Sequence, residues 1–284
     1  MSALVLYNYE LDENCYKVRL ALSLLGLNWQ AVAVDVFPGK EHLNPPYLAM
    51  NPAGRLPILR DGDLVLHGTE AILAHLARTH DASGQWLPPE GAGFAMVMQW
   101  LNFSARDLGI TIEARQHSLF DTPGDEAALR SASSKAIRIM DDHMTARGFA
   151  RADWFAADHA TIADIALFPA FALSRDFGID HDEYPALRSW ARRFRALPGF
   201  KTMPGIPDYH CRARNSCHGK RIVHGLSHAL FGKPLVHHDA PARRGRVSPS
   251  RSRRRDQGGS GAPDLFGTLD GHHGRRSYGS HPHD

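Results

Sequence analysis

Asn51-Pro-Ala-Gly-Arg-Leu-Pro-Ile-Leu-Arg-Asp-Gly-Asp-Leu-Val-Leu66 is the stretch that decides the fold. Leu56-Pro-Ile-Leu59 and Leu64-Val-Leu66 are short apolar runs on either side of Asp61-Gly-Asp63, and Asp-Gly is a preferred centre for a tight hairpin turn. Two antiparallel strands are therefore predicted here. After them Thr69 is positioned to cap a helix in which Ile72, His75, Leu76 and Thr79 share a face.

Upstream, Ala3-Leu-Val-Leu-Tyr7 reads as a buried strand. From Cys15 onward Val18, Ala21, Leu22 and Leu25 follow the i, i+3, i+4, i+7 spacing of one helix face, with Gly26 placed as a left-handed cap. Trp29, Val32 and Val34 form a β-prone stretch, and 37–51 is rich in Pro, Gly and Asn, leaving room for short helical turns only. The order β-α-β-(α)-β-β-α is that of a thioredoxin-like α/β domain, expected over 1–80. A linker signature of Ser, Gly and Pro occupies 81–92. An all-α helical domain is expected over 93–209, with helices at Met96 to His117, Ala127 to Ala146, Thr161 to Arg175 and Pro185 to Ala196. The last is the clearest, with Leu187, Trp190, Ala191, Phe194 and Leu197 on one stripe.

Charge divides the chain at the same place. Residues 210–284 carry 14 Lys/Arg against 5 Asp/Glu, so that the net +3 of the whole splits into a body of −6 and a tail of +9. An acidic body lacks the broad cationic footprint that phosphate binding needs, so nucleic acid is not expected as its partner and remains open only for the tail. The tail itself, with Ser248-Pro-Ser-Arg-Ser-Arg-Arg-Arg255 and Gly258-Gly-Ser-Gly261, reads as low-complexity and disordered. Its Cys211, Cys217, His218, His224 and His228 match no compact zinc spacing, and no metal site is expected anywhere in the chain. Three cysteines are too few to staple a fold of this size, and nowhere do eighteen apolar residues run together. A cytoplasmic chain without a membrane span is the expectation.

Three segments taken together resemble the cytosolic glutathione transferase family, in particular its bacterial serine/asparagine branch. They are Asn14-Cys-Tyr-Lys-Val-Arg-Leu20 after the first strand, Asn51-Pro-Ala-Gly-Arg-Leu-Pro57 before the third, and the capping box Thr161-Ile-Ala-Asp164 in the helical half. The resemblance covers about residues 3 to 205 and implies conjugation of the glutathione thiolate to a small hydrophobic electrophile by a homodimer, with glutathione as co-substrate. It implies that Arg55, Leu56 and Pro57 hold the cysteinyl part of glutathione, with Pro57 in the cis form. Thr69 would hold the γ-glutamyl end, Glu70 being the nearest remaining carboxylate because Gly68 stands where the family has an acidic residue.

Thiolate activation needs a donor in the strand-to-helix turn. Asp12 aligns with the catalytic serine of the family and Asn14 with the amide of the asparagine branch. An ionised carboxylate cannot donate, so Asn14 is the preferred activator, with helix capping as its competing role and Tyr7 or Tyr9 as fallback. Cys15, in the first helical turn, could form mixed disulfides with glutathione or serve as a small buried residue. Trp100, Phe103, Arg106, Asp107 and Ile110 occupy the position of the second substrate, and their spacing is equally that of a packing face. Two alternatives accompany conjugation: a non-catalytic binding or assembly module of the same fold, and a disulfide reductase acting through Cys15.

Overall fold

A computed structural model describes residues 4–209 of the 284. The expectations placed on the tail fall outside the described residues. The first half is a four-stranded sheet: β1 (Leu4–Asn8), β2 (Trp29–Ala33), β3 (Ile58–Asp61) and β4 (Leu64–His67), in the order β2-β1-β3-β4. β2 runs parallel to β1, and the other two pairings are antiparallel. Gly62 at φ 60° opens the two-residue connection between β3 and β4 in the conformation that a tight hairpin demands. α1 (Glu13–Leu24) and α3 (Thr69–His80) pack on each other beside the sheet. Between β2 and β3 come a 3-10 turn at Glu41–Leu43 and the six-residue α2 (Pro45–Met50), the short turns foreseen.

Helices alone make up the second half of the described chain: α4 (Gly91–Arg106), α5 (Gly109–Phe120), α6 (Glu126–Phe149), α7 (Ile162–Ala172) and α8 (Pro185–Arg195). Every residue of α7 is buried, as expected of a helix apolar all round. It packs against α1, α3, α4 and α8, so one helix joins the two halves through a continuous core.

The capping box forms as read from the sequence, and more is built on it. The Asp164 carboxylate accepts from Thr161 N (2.9 Å), Thr161 Oγ1 (3.2 Å), Phe155 N (3.2 Å) and Trp190 Nε1 (2.9 Å). A fully buried acid is tolerable only when its oxygens are satisfied in this way.

Three local expectations are corrected. The helix foreseen from Met96 to His117 is two helices, because Asp107 N and Leu108 N both bond to Phe103 O and Gly109, a poor helix former, follows the buried Leu108. Thr69 does not cap α3 but is its first residue; Gly68, at φ 86°, is the cap. His75 and Thr79 lie beside rather than on the core face of α3, which is formed by Ile72, Leu73, Leu76 and Ala77.

Candidate functional site

Register places three chain segments at one end of the sheet. Tyr7 pairs with Ile58, and Ile58 with His67. The exit of β1 toward α1, the entry to β3 through Leu56 and Pro57, and the exit of β4 toward α3 therefore lie side by side. The helix beginnings leave amide donors pointing out, since the first intrahelical bonds are Tyr16 N to Asp12 O in α1 and Ile72 N to Gly68 O in α3. An N-terminus of this kind favours an anion.

Asn51 builds the loop before β3. Its Oδ1 accepts from Ala53 N (3.1 Å) and its Nδ2 donates to Arg55 O (2.6 Å). Gly54 adopts φ 59°, a left-handed conformation that strains residues bearing a Cβ, and a Cβ there would also lie 2.8 Å from Leu43 Cδ2, which would have to shift. The loop presents Leu56 ahead of the sheet ladder, which starts at Ile58, and the Leu56–Pro57 peptide is cis. The Arg55 side chain is exposed.

The turn from β1 to α1 is held from both sides. Arg19, from the Lys17-Val-Arg segment, donates to Asn8 Oδ1, Tyr9 O (3.2 Å) and Glu10 O (2.9 Å). Arg115, from α5, donates to Leu11 O (2.7 Å) and to Asp176 Oδ2 (2.7 Å), with Glu13 Oε1 at 3.9 Å. Lys17, also buried, donates to Ser104 Oγ (3.0 Å) on α4, and Ser104 donates in turn to Glu70 Oε1 (3.1 Å). None of these three roles is visible in local spacing, although the Lys-x-Arg pair in an otherwise apolar helix is the signal that could have prompted the question.

The sequence-predicted residues are distributed as follows. Asp12 is the N-cap of α1, its Oδ1 accepting from Cys15 N at 2.6 Å, so Asn14 is not the cap residue. Desolvation at the cavity wall pushes the Asp12 carboxyl above its ordinary pKa, against the lowering by that bond. Asn14 is half-buried in the first turn of α1. The Cys15 thiol is fully buried, accepts from Tyr9 N at 3.5 Å, and is pushed well above the ordinary thiol pKa by desolvation and by Asp12. Tyr7 stacks edge-on to Tyr47, with centroids 6.0 Å apart. Thr69 is buried, and Glu70 is turned toward Lys17 at 3.7 Å. Trp100 packs among Phe103, His143 and Phe155, whereas Arg106 is exposed and pairs with Asp107 at the surface.

A cavity of about 250 Å³ opens beside the turn. Tyr9, Leu11, Asp12 and Glu13 form one wall, Val36, Phe37 and His42 a second, and Ile112, Arg115, Gln116, Leu119 and Phe120 of α5, with Thr122, a third. Phe37 and Phe120 close across it, with ring centroids 4.8 Å apart. His42 Nδ1 is buried with no hydrogen-bond partner among the described residues, and desolvation lowers the imidazole pKa. Burial pushes the Tyr9 phenol up. Glu13, 3 % exposed, is pushed up to about 7 by desolvation, which Arg115 offsets only in part. The helical wall of this cavity comes from α5, the helix that also carries Ile110, whereas Trp100, Phe103 and Arg106 lie on α4 and do not line it.

Two family descriptions match this chain: "Glutathione S-transferase, N-terminal domain" over residues 6–84 and "Glutathione S-transferase, C-terminal domain" over 126–198. Glutathione S-transferase 3 of Zea mays is 30% identical over 216 residues, covering 73% of this chain and 96% of its own. The crystal structure of a possible glutathione S-transferase from Rhodopseudomonas palustris is 32% identical, covers 72% of this chain and all of its own, and superposes with a TM-score of 0.59. A glutathione transferase homolog from Lodderomyces elongisporus, solved with two GSH per subunit, is 25% identical over 70% of this chain and 96% of its own, with a TM-score of 0.64.

Proposed function

Given that the chain belongs to the glutathione S-transferase family, we propose that it adds the glutathione thiolate to a small apolar electrophile, with glutathione lying across the sheet end described above. One observation carries the proposal: the register Tyr7–Ile58–His67 brings the N-termini of α1 and α3 to either side of the Leu56 backbone, beside the cavity. An extended tripeptide can pair with the Leu56 backbone and direct its γ-glutamyl carboxylate at the open amides of α3, with Thr69 adding a hydroxyl and the buried Pro57 shaping the edge. Arg55 and His42 are the cationic and neutral polar groups left for the glycyl end, and Tyr7 backs the cysteinyl part. Glu70, held by Lys17 and Ser104, orients α3 against α4 rather than meeting the ligand.

The sulfur then lies near the first turn of α1. A free thiol has a pKa of about 8.5, so the nucleophile is scarce at neutral pH unless the site favours the thiolate. The α1 N-terminus supplies part of that, and the Asn14 amide donates without bringing charge. Asp12 works against it, since its carboxylate already takes the Cys15 amide. Val36, Phe37, Ile112, Leu119 and Phe120 offer an apolar seat for the electrophile. A homodimer in the cytoplasm is part of the proposal; Leu64 and Val65 on β4 and Met98 on α4 are exposed apolar side chains suited to a subunit contact. No described helix is long and apolar enough to cross a membrane. The reductase alternative loses support from the buried, high-pKa thiol of Cys15.

Calorimetric titration of reduced glutathione into the full chain, followed by turnover with an activated aryl halide, tests the proposal. Saturable binding is expected, with Asn14→Ala lowering turnover at least tenfold while binding changes by less than threefold. No heat at millimolar glutathione would overturn the reading in favour of a non-catalytic module; unchanged turnover in Asn14→Ala would clear that residue.

A further inference from the structure

Asp61 is the last residue of β3, and His75 and His80 stand on the final turns of α3. Their side chains converge: His75 Nε2 lies 3.0 Å and His80 Nε2 2.9 Å from the same oxygen, Asp61 Oδ2. All three donor atoms fall within 4.8 Å of one another. We propose that Asp61, His75 and His80 bind a divalent transition-metal ion of the zinc class, with solvent completing its coordination.

The chemistry of the donors selects the ion. Two imidazoles and one carboxylate suit zinc and its first-row neighbours, whereas calcium and magnesium prefer oxygen alone. Spacing agrees. Bonds of about 2.0 to 2.1 Å in a tetrahedron set neighbouring donor atoms about 3.3 Å apart, so each imidazole nitrogen needs to retreat from Asp61 by only a few tenths of an ångström. Both rings already present Nε2, which leaves Nδ1 to carry the proton once the metal is bound. Thr79 Oγ1 lies 3.4 Å from His75 Nδ1 and can accept from it, the kind of outer contact that orients a ligating imidazole. Side-chain exposures of 19 %, 24 % and 11 % leave an entry path and room for water.

Position separates this site from the cavity. Asp61 pairs with Leu4, at the start of β1, whereas Tyr7 and the turn to α1 lie at its far end, about 10 Å away at the rise of an extended strand. Sequence spacing does not betray the site, since the carboxylate comes from a hairpin and the histidines are five residues apart on a helix.

The test uses metal-free full chain in glutathione-free buffer, titrated with zinc chloride against a chromogenic chelator and, separately, with cobalt(II) followed by visible absorption. Ten of the eighteen histidines lie after residue 209 and can bind ions themselves, so the readout is the difference between wild type and variants. Wild type is expected to take up one ion more than the His75→Gln/His80→Gln variant, to bind it at least tenfold tighter than Asp61→Asn, and to show a zinc-dependent rise in Tm that both variants lack. His80→Gln alone, at the last residue of α3, provides a folded comparison should the double variant be unstable. Equal stoichiometry, affinity, cobalt spectrum and Tm shift in wild type and His80→Gln would overturn the proposal.

Discussion

Replacing Glu13 by Gln removes a buried proton-binding group from the cavity wall without changing its shape. Glu13 titrates at about 7 in the folded chain against an ordinary 4.5, because desolvation outweighs an Arg115 guanidinium that is 3.9 Å away and already committed to Asp176 and Leu11 O. Between those two pH values the folded state keeps a proton that the unfolded chain has released, so unfolding free energy falls as pH rises through the window. The gap corresponds to roughly 3 kcal/mol of stability present below pH 4.5 and lost above pH 7. Glutamine cannot titrate. Wild type and Glu13→Gln are therefore expected to be nearly equal at pH 4.5 and to diverge by roughly 3 kcal/mol in favour of the variant at pH 8. Guanidinium unfolding followed by tryptophan fluorescence at four pH values measures this, since groups that titrate in both chains cancel in the difference. Parallel curves, or a wild type that gains on the variant as pH rises, would refute the argument and mean that the Arg115 pairing outweighs desolvation.

Two further substitutions probe the frame and the turn. Asp164→Ala orphans Thr161 N, Phe155 N and Trp190 Nε1, and at about 1 to 3 kcal/mol per buried unpaired donor the loss should reach roughly 3 to 9 kcal/mol by equilibrium unfolding; less than 1 kcal/mol would show that other groups or water satisfy them. Asp12→Ser keeps a preferred capping oxygen for Cys15 N and is expected to shift stability by less than about 0.5 kcal/mol, while removing a carboxylate beside the proposed thiolate position and raising turnover at neutral pH. Lower turnover in that variant would mean that Asp12 takes part in catalysis.

Legibility in the sequence followed the range of the interactions. The Gly62 turn, the apolar face of α1 and the Thr161–Asp164 box are decided within a few residues, and each was readable. Gly68 as the α3 cap was missed because a free hydroxyl at Thr69 is the stronger local signal, whereas a left-handed glycine wins once β4 has to turn into α3. The break at Leu108 was missed because apolar spacing continues through it. The cavity wall on α5, the Arg115 clamp and the Asp61–His75–His80 cluster all join residues far apart in the chain or on different elements, which periodicity cannot report.

The clamps also bear on how the two halves act together. The turn that leads through Asp12 into α1 has no regular structure of its own from Tyr9 to Asp12, yet Arg19 fixes its start from within the α/β half and Arg115 fixes its end from the helical half. Lys17 adds a second tie, through Ser104, between α1 and α4. The cations of the Lys17-Val-Arg19 segment thus act on the backbone: Arg19 holds the turn and Lys17 ties α1 to α4. Arg115 both donates to Leu11 O and lines the cavity, so one side chain of α5 touches the turn and the cavity together. On the proposed function, a substitution at Arg115 would loosen the end of that turn from the helical half while leaving the Arg19 contacts at its start in place.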